Sequence, residues 1–290
     1  MRYYTNVQMV GNDFLVRGYE NGKSFTTREQ YSPTLFVPSK KRTKYKTLDG
    51  KYVQSIKPGT VRECREFYKT HGEVKGFDIY GNNRYIYQYI SDKYPEKEIE
   101  FDISKIKLVT IDIEVKSEKG FPTVQACDEE MLCITLQDYA TKRILTFGVG
   151  PYHHNDPMVK YVQCNDEYDM LQHFIKFWSH DPPEVVTGWN CQLYDIAYLA
   201  KRITRVLGEK ACKKLSPWGL VTHEEIYLMG RAHTVYDIGG VTVLDYLDLY
   251  RKFTYKAQES YKLDYIGEVE LGKKKLDHSE FDTFKDFYTK

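Results

Sequence analysis

The run Leu108-Val109-Thr110-Ile111-Asp112-Ile113-Glu114-Val115 alternates apolar and polar residues with a period of two. That period belongs to a strand with one face buried. Such a strand needs a second layer of structure over Val109, Ile111, Ile113 and Val115, so the chain is committed to a sheet with other elements packed on it. Thr110, Asp112 and Glu114 share the opposite face, residues two apart lying ~6.6 Å from one another. Two like charges so placed raise each other's pKa unless a cation, hydrogen bonds or open water compensates. A hard, oxygen-preferring metal ion compensates directly. An edge strand that wets its polar face is the plain alternative, and the motif alone leaves both open.

Sequence grammar changes near Lys107. Before it, short strand patterns (Tyr3 to Val10, Asp13 to Tyr19, Thr34 to Val37) alternate with the turn signals Glu20-Asn21-Gly22 and Asp49-Gly50. A helix is predicted over Val61 to His71, and two strands over Phe77 to Tyr80 and Tyr85 to Tyr87, giving a small α+β domain at 1–106. After it come three strand candidates (Lys107 to Val115, Met131 to Gln137, Arg143 to Val149), a helix from Asp166 to Ser179, and the apolar strand Glu184 to Gly188 running into another helix. A meander followed by alternating helices and strands predicts a mixed α/β second domain at 107–290. Its mixed sheet with flanking helices resembles the general plan of the ribonuclease H-like folds.

The chain is 41% hydrophobic and 29% charged, a soluble globular composition. No run approaches the ~20 apolar residues of a membrane span, and Met1-Arg2-Tyr3-Tyr4 lacks a secretory apolar core, so no membrane partner and a cytoplasmic location are expected. Six scattered cysteines, with no C-x-x-C and no histidine at zinc-finger spacing, suggest neither a disulfide framework nor a zinc site. The net charge of +1 is unevenly spread: residues 1–106 hold 19 Lys and Arg against 13 Asp and Glu, a net +6, leaving a net −5 for the rest. A basic front and an acidic back suit anions on one part and cations on the other. The densest positive patch, Lys40, Lys41, Arg42, Lys44 and Lys46 around Tyr45, is either a phosphate-tracking surface or a solvated loop.

A second motif, Val185-Val186-Thr187-Gly188-Trp189-Asn190-Cys191-Gln192-Leu193-Tyr194-Asp195-Ile196, is more specific. Asn190 is expected as the helix N-cap, Trp189 and Tyr194 as a hydrophobic staple, and Leu193, Ile196, Ala197 and Ala200 as the core-facing stripe. Asp195 then falls in the second turn, where the helix dipole favours a carboxylate in any case.

Asp112-Ile113-Glu114 followed by Thr187-Gly188-Trp189-Asn190 and Tyr194-Asp195 resembles the first two exonuclease motifs of family B DNA polymerases. The similarity is to the T-even phage subgroup and extends to Gly120-Phe121-Pro122, Val243 to Tyr250, Ser260 to Ile266 and Tyr31 to Phe36, covering essentially the whole chain. It implies a polymerase amino-terminal domain followed by a proofreading domain that removes mispaired 3′ nucleotides from single-stranded DNA ends of a primer–template. It further implies two divalent ions, Mg2+ or Mn2+, with Asp112 bridging them, Glu114 holding the one that activates water and Asp195 the other. Phe121 corresponds to an aromatic that wedges or stacks at the primer end, Asn190 and Tyr194 to the lining of the single-strand pocket.

The family pattern also needs a third motif, Tyr-x-x-x-Asp, and none follows Asp195; Tyr152 to Asp156 fits the pattern but lies between the first two motifs. The chain is therefore expected to stop, at Phe287-Tyr288-Thr289-Lys290, short of that motif, and to lack the palm, fingers and thumb. Weak or absent activity in isolation follows. Two alternatives remain beside the exonuclease: a catalytically silent fragment whose basic first domain, through Lys41, Arg42 and Lys44, binds template or RNA, and a stand-alone nuclease with another fourth ligand. Asp245 and Asp248 sit where a strand passes into a helix and are read as capping residues, and Leu228 to Val243, with Gly230, Gly239 and Gly240, is read as a hairpin.

Overall fold

The computed structural model describes residues 2–95, 98–118, 120–228 and 230–274, in two compact units, Met1–Lys105 and Ile106–Lys290. The predicted end point at Phe287 to Lys290 lies outside the described residues.

In the first unit β1 (Arg2–Val10), β2 (Asp13–Glu20) and β3 (Lys23–Gln30) form an antiparallel sheet. Asn21 and Gly22 turn β2 into β3 with φ of 51° and 77°, the double left-handed reversal that matches strand twist. A second sheet has β4 (Leu35–Pro38), β5 (Tyr45–Lys46) and β6 (Tyr52–Ile56) in the order β4-β6-β5. Helix α1 (Val61–His71) starts at a capping box between Thr60 and Glu63. The predicted strand at Tyr85 to Tyr87 is instead the start of helix α2 (Tyr85–Lys93), and Phe77 to Tyr80 makes a single bridge, Tyr80 to Phe36. Tyr85 and Tyr89, one turn apart, are buried together with Phe14, Val16 and Leu35, and Phe14 stacks on Tyr89 at 4.7 Å. Burial of that one face outweighs the strand preference of the aromatic residues.

In the second unit β7 (Leu108–Val115), β8 (Met131–Asp138) and β9 (Ile144–Val149) form the predicted meander. β10 (Val159–Cys164), not foreseen, lies parallel to β9. Helix α3 (Glu167–His180) leads to β11 (Val185–Gly188), α4 (Asp195–Leu207) and α5 (Glu209–Cys212). A hairpin of β12 (Val221–Leu228) and β13 (Arg231–Ile238) follows, then β14 (Thr242–Asp245), α6 (Tyr246–Phe253) and α7 (Leu263–Leu271). The hairpin thus begins seven residues before the stretch expected for it; Gly239 and Gly240 turn the chain from β13 into β14.

The main sheet is mixed, in the order β10-β9-β8-β7-β11-β14, with β7, β11 and β14 parallel. Val109, Ile111, Ile113 and Val115 are at most 6% exposed and belong to one core with Phe174, Trp178, Ile196 and Ile203 from α3 and α4, while Asp112 faces out. The alternation read in the sequence is the alternation of the sheet.

Candidate active site

β11 pairs with β7 only from Leu108 to Thr110. Gly188 ends β11 against the Ile111 carbonyl; a Cβ there would lie 2.7 Å from that oxygen, so the close approach requires glycine. Beyond this point the strands part, leaving the Ile113 N–H without a strand to receive it. Asp195 fills the gap: its Oδ1 accepts that N–H at 3.1 Å. The carboxylate from the second motif is thereby bound to the peptide between Asp112 and Glu114. The place is toward the carboxyl ends of the parallel strands β7 and β11, the end at which open α/β sheets bind ligands.

Asp195 is 5% exposed. Burial first, and then the charge of Asp112, push its carboxyl up to about 7, against the pull of the Ile113 N–H. Burial and the charges of Asp195 and Glu114 likewise raise the phenol of Tyr194. Cys133 pairs with Glu114 across β7 and β8, and its thiol is pushed up to about 12 by burial and by Glu114 and Asp112. The site therefore gathers negative charge around one buried carboxylate, Asp195, at the edge of solvent where Asp112 is exposed. The three carboxylates do not close into a tight triad: among the described residues, the trio of acidic, cysteine or histidine side chains whose ligand atoms all lie within 4.8 Å of one another is Cys164, Asp169 and His173.

The turn that presents Asp195 differs from its expected form. α4 starts at Asp195, four residues later than an Asn190 cap implies, and no side chain caps it. Asn190 has a left-handed backbone, φ 63°, and its N–H goes to Asp245 Oδ1 at 2.9 Å. Asp245 Oδ2 takes the Gln192 N–H at 3.0 Å, and Oδ1 also caps α6 through Leu247. Asp245, 6% exposed, thus caps a helix as its position in the sequence implied and also clasps the turn after β11. Trp189 forms no staple with Tyr194; its ring lies against Tyr250 at 5.7 Å and its indole N–H donates to the Tyr261 carbonyl.

Phe121 is 78% exposed, and its ring centre lies 5.4 Å from that of Tyr194. Its loop is tied to α4. Lys201 donates to the Gln125 carbonyl, Arg202 and Arg205 to that of Cys127, and the Tyr198 hydroxyl to that of Glu129. Arg202 is held in turn by Glu167 of α3 through two hydrogen bonds of 2.6 and 2.7 Å. One helix therefore carries Asp195 at its start and fixes the Phe121 loop along its side. Lys41, Arg42 and Lys44 are exposed in the loop between β4 and β5 of the first unit, with the Lys44 ammonium over the Tyr45 ring at 4.7 Å.

The protein-family model described as DNA polymerase family B, exonuclease domain, matches residues 65–266. The chain belongs to this family of exonuclease domains. The DNA-directed DNA polymerases of Enterobacteria phage T4 and Escherichia phage RB69 are 31% and 30% identical over 94% of the chain. The DNA polymerase catalytic subunit of Psittacid herpesvirus 1 is 27% identical over 60% of it. The chain spans about a third of the length of the two phage polymerases, 33% of each. The mixed sheet with helices on it is the ribonuclease H-like architecture of this family B exonuclease domain.

At the site the sequence reading missed Cys133 and the second role of Asp245. Cys133 faces Glu114 only because of the β7–β8 register, which no local pattern reveals. Asp245 was legible as a cap, but its hold on Asn190 and Gln192 spans more than 50 residues.

Proposed function

We propose that this chain is the amino-terminal and proofreading region of a phage-type DNA polymerase, removing 3′-terminal nucleotides from single-stranded DNA ends. The observation that carries the reading is the hydrogen bond from Ile113 to Asp195, which sets a buried carboxylate beside Asp112 and Glu114. The donor set is all oxygen, as Mg2+ or Mn2+ prefers, and the raised pKa of Asp195 marks charge that a cation would neutralise. Two ions ~3.5–4 Å apart, each with ligands about 2.1 Å away, span roughly 8 Å, so a spread arrangement of carboxylates suits a pair of ions better than a single one. Asp112, Glu114 and Asp195 would hold them. Bound there, they would supply the positive charge that activates water and stabilises the leaving oxygen of an in-line displacement.

In this reading the protein's own groups orient the strand. Phe121, exposed and backed by Tyr194, stacks on the terminal base, since any base offers a face to an aromatic ring. Asn190 lines the slot, its carboxamide capping no helix. Lys41, Arg42 and Lys44 track phosphates, and the palm, fingers and thumb come from other sequence of the polymerase, acting with this region on a primer–template in the cytoplasm of the host. No helix among the described residues is long and apolar enough to cross a membrane.

A metal-dependent digestion of a short 3′ overhang tests the proposal, comparing this chain with a longer product that carries the third-motif helix. Activity gained on extension and lost with Asp112→Ala supports it; activity indifferent to Asp112 refutes it. The basic patch in the first unit favours a second reading, a silent fragment that binds template or RNA. It predicts binding with a steep salt dependence and no effect of Asp112→Ala on any activity.

A further inference from the structure

A second group of metal-ligating side chains lies at the other end of the sheet. Cys164 ends β10 and is 2% exposed. Two residues later Asp166 caps α3, whose first turns carry Asp169 and His173 one turn apart on the same side. The strand-to-helix turn folds these three onto one another, so that the Cys164 thiol, a carboxylate oxygen of Asp169 and a ring nitrogen of His173 all lie within 4.8 Å of each other. Each residue has an ordinary role by itself: a first-turn aspartate, a surface aspartate–histidine pair at 3.0 Å, a small core thiol. Their convergence brings sulfur, nitrogen and oxygen donors to one point.

We propose that Cys164, Asp169 and His173 form a binding site for a borderline divalent ion, zinc by preference, separate from the carboxylates of β7. Zinc takes such mixed donors at about 2.0–2.3 Å in a tetrahedron, whose edges are then roughly 3.3–3.8 Å. Reaching that geometry takes shifts of about an ångström, and His173 must turn its Nδ1 away from the Asp169 backbone carbonyl, now 2.9 Å from it. Asp169 is already oriented for the task, because its Oδ2 accepts the backbone and side-chain N–H groups of Asn165, both at 3.0 Å; outer hydrogen bonds of this kind fix a ligating carboxylate. His173 is exposed, which gives the ion an entry path and leaves the fourth position to water. Magnesium, which wants oxygen ligands, would not choose this site. The two sites lie three strands apart in the order β10-β9-β8-β7, roughly 14 Å at the usual strand spacing. A bound ion would fasten β10, the edge strand of the sheet, to α3. Zinc-finger spacing does not describe the ligands because strand and helix, rather than two knuckles, supply them.

Cobalt(II) titration of the full chain tests this in an Asp112→Asn, Asp195→Asn background, where the carboxylate site is disabled. One equivalent is expected to bring up the near-ultraviolet thiolate-to-cobalt absorption and to be displaced by zinc. Cys164→Ser should abolish the band. His173→Gln, at an exposed position that does not threaten folding, should weaken cobalt binding at least tenfold. Cys133→Ser, the thiol beside Glu114, should leave the band in place. A folded chain that gives no band, a band that survives Cys164→Ser, or a band lost with Cys133→Ser each overturns the proposal.

Discussion

Asp195 is held against its own chemistry. A carboxyl with an ordinary pKa of 3.8 is raised to about 7 in the fold, so between those values the unfolded chain has released a proton that the folded chain keeps. Stability from this group therefore falls as pH rises through the window and is lowest above about 7, by an amount on the order of 4 kcal/mol. Asp195→Asn retains an oxygen for the Ile113 N–H and carries no charge. In chelator the variant is expected to melt above the parent at pH about 8, the difference narrowing as pH falls toward 4; scanning fluorimetry across that range reads it, and an unchanged gap contradicts the assignment. Exonuclease activity of a longer polymerase should vanish in the same variant. At this scale the sequence showed Asp112 and Glu114 as neighbours on one face by simple alternation. That Asp195 joins them was visible only through the resemblance of Thr187 to Asp195 to a known motif, since an 82-residue separation leaves no local trace.

The elements around the site are set by close approaches and by one buried ion pair. Gly188 lies where a Cβ would meet backbone, the Ile111 carbonyl at 2.7 Å, as well as the Cys191 Cβ at 2.8 Å. Gly188→Ala should push β11 off β7 and lower stability by about 1–3 kcal/mol, measured by urea unfolding, with faster amide exchange at Ile113. Arg202, 7% exposed, faces Glu167, 9% exposed. Arg202→Met leaves that carboxylate buried without its partner, an effect of roughly 3–5 kcal/mol. Hydrogen exchange of residues 121–128 should rise in the same variant, and protection at the parent level would show that the loop is held otherwise. Most elements were legible from periodicity: α1 over Val61–His71, the β7–β9 meander and α3 all stand where their patterns place them. The turn after β11 was not. Its left-handed Asn190 depends on Asp245, and a distant acceptor for backbone N–H groups outweighed a good local capping signal. In β10, Val-Lys-Tyr-Val-Gln-Cys carries an edge-strand pattern too mixed to announce itself.

For the molecule as a whole, charge divides with sequence, net +6 over residues 1–106 and net −5 beyond. If the first unit grips phosphates, single-strand binding should weaken steeply with salt. Replacing Lys41, Arg42 and Lys44 by Gln should then reduce the slope of log affinity against log salt by about 2, at ~0.7 per contact. A slope unchanged by the triple substitution would return those residues to the role of a solvated loop. The parting of β7 from β11 reaches further than the chemistry it shelters. Its walls there are peptide groups of Ile111, Ile113 and Gly188, and main chain stays put when side chains are exchanged. On the proposed function, grip and cut should therefore be separable: with all three acids turned into amides, the main-chain walls stay in place and a frayed strand should be clasped without being severed.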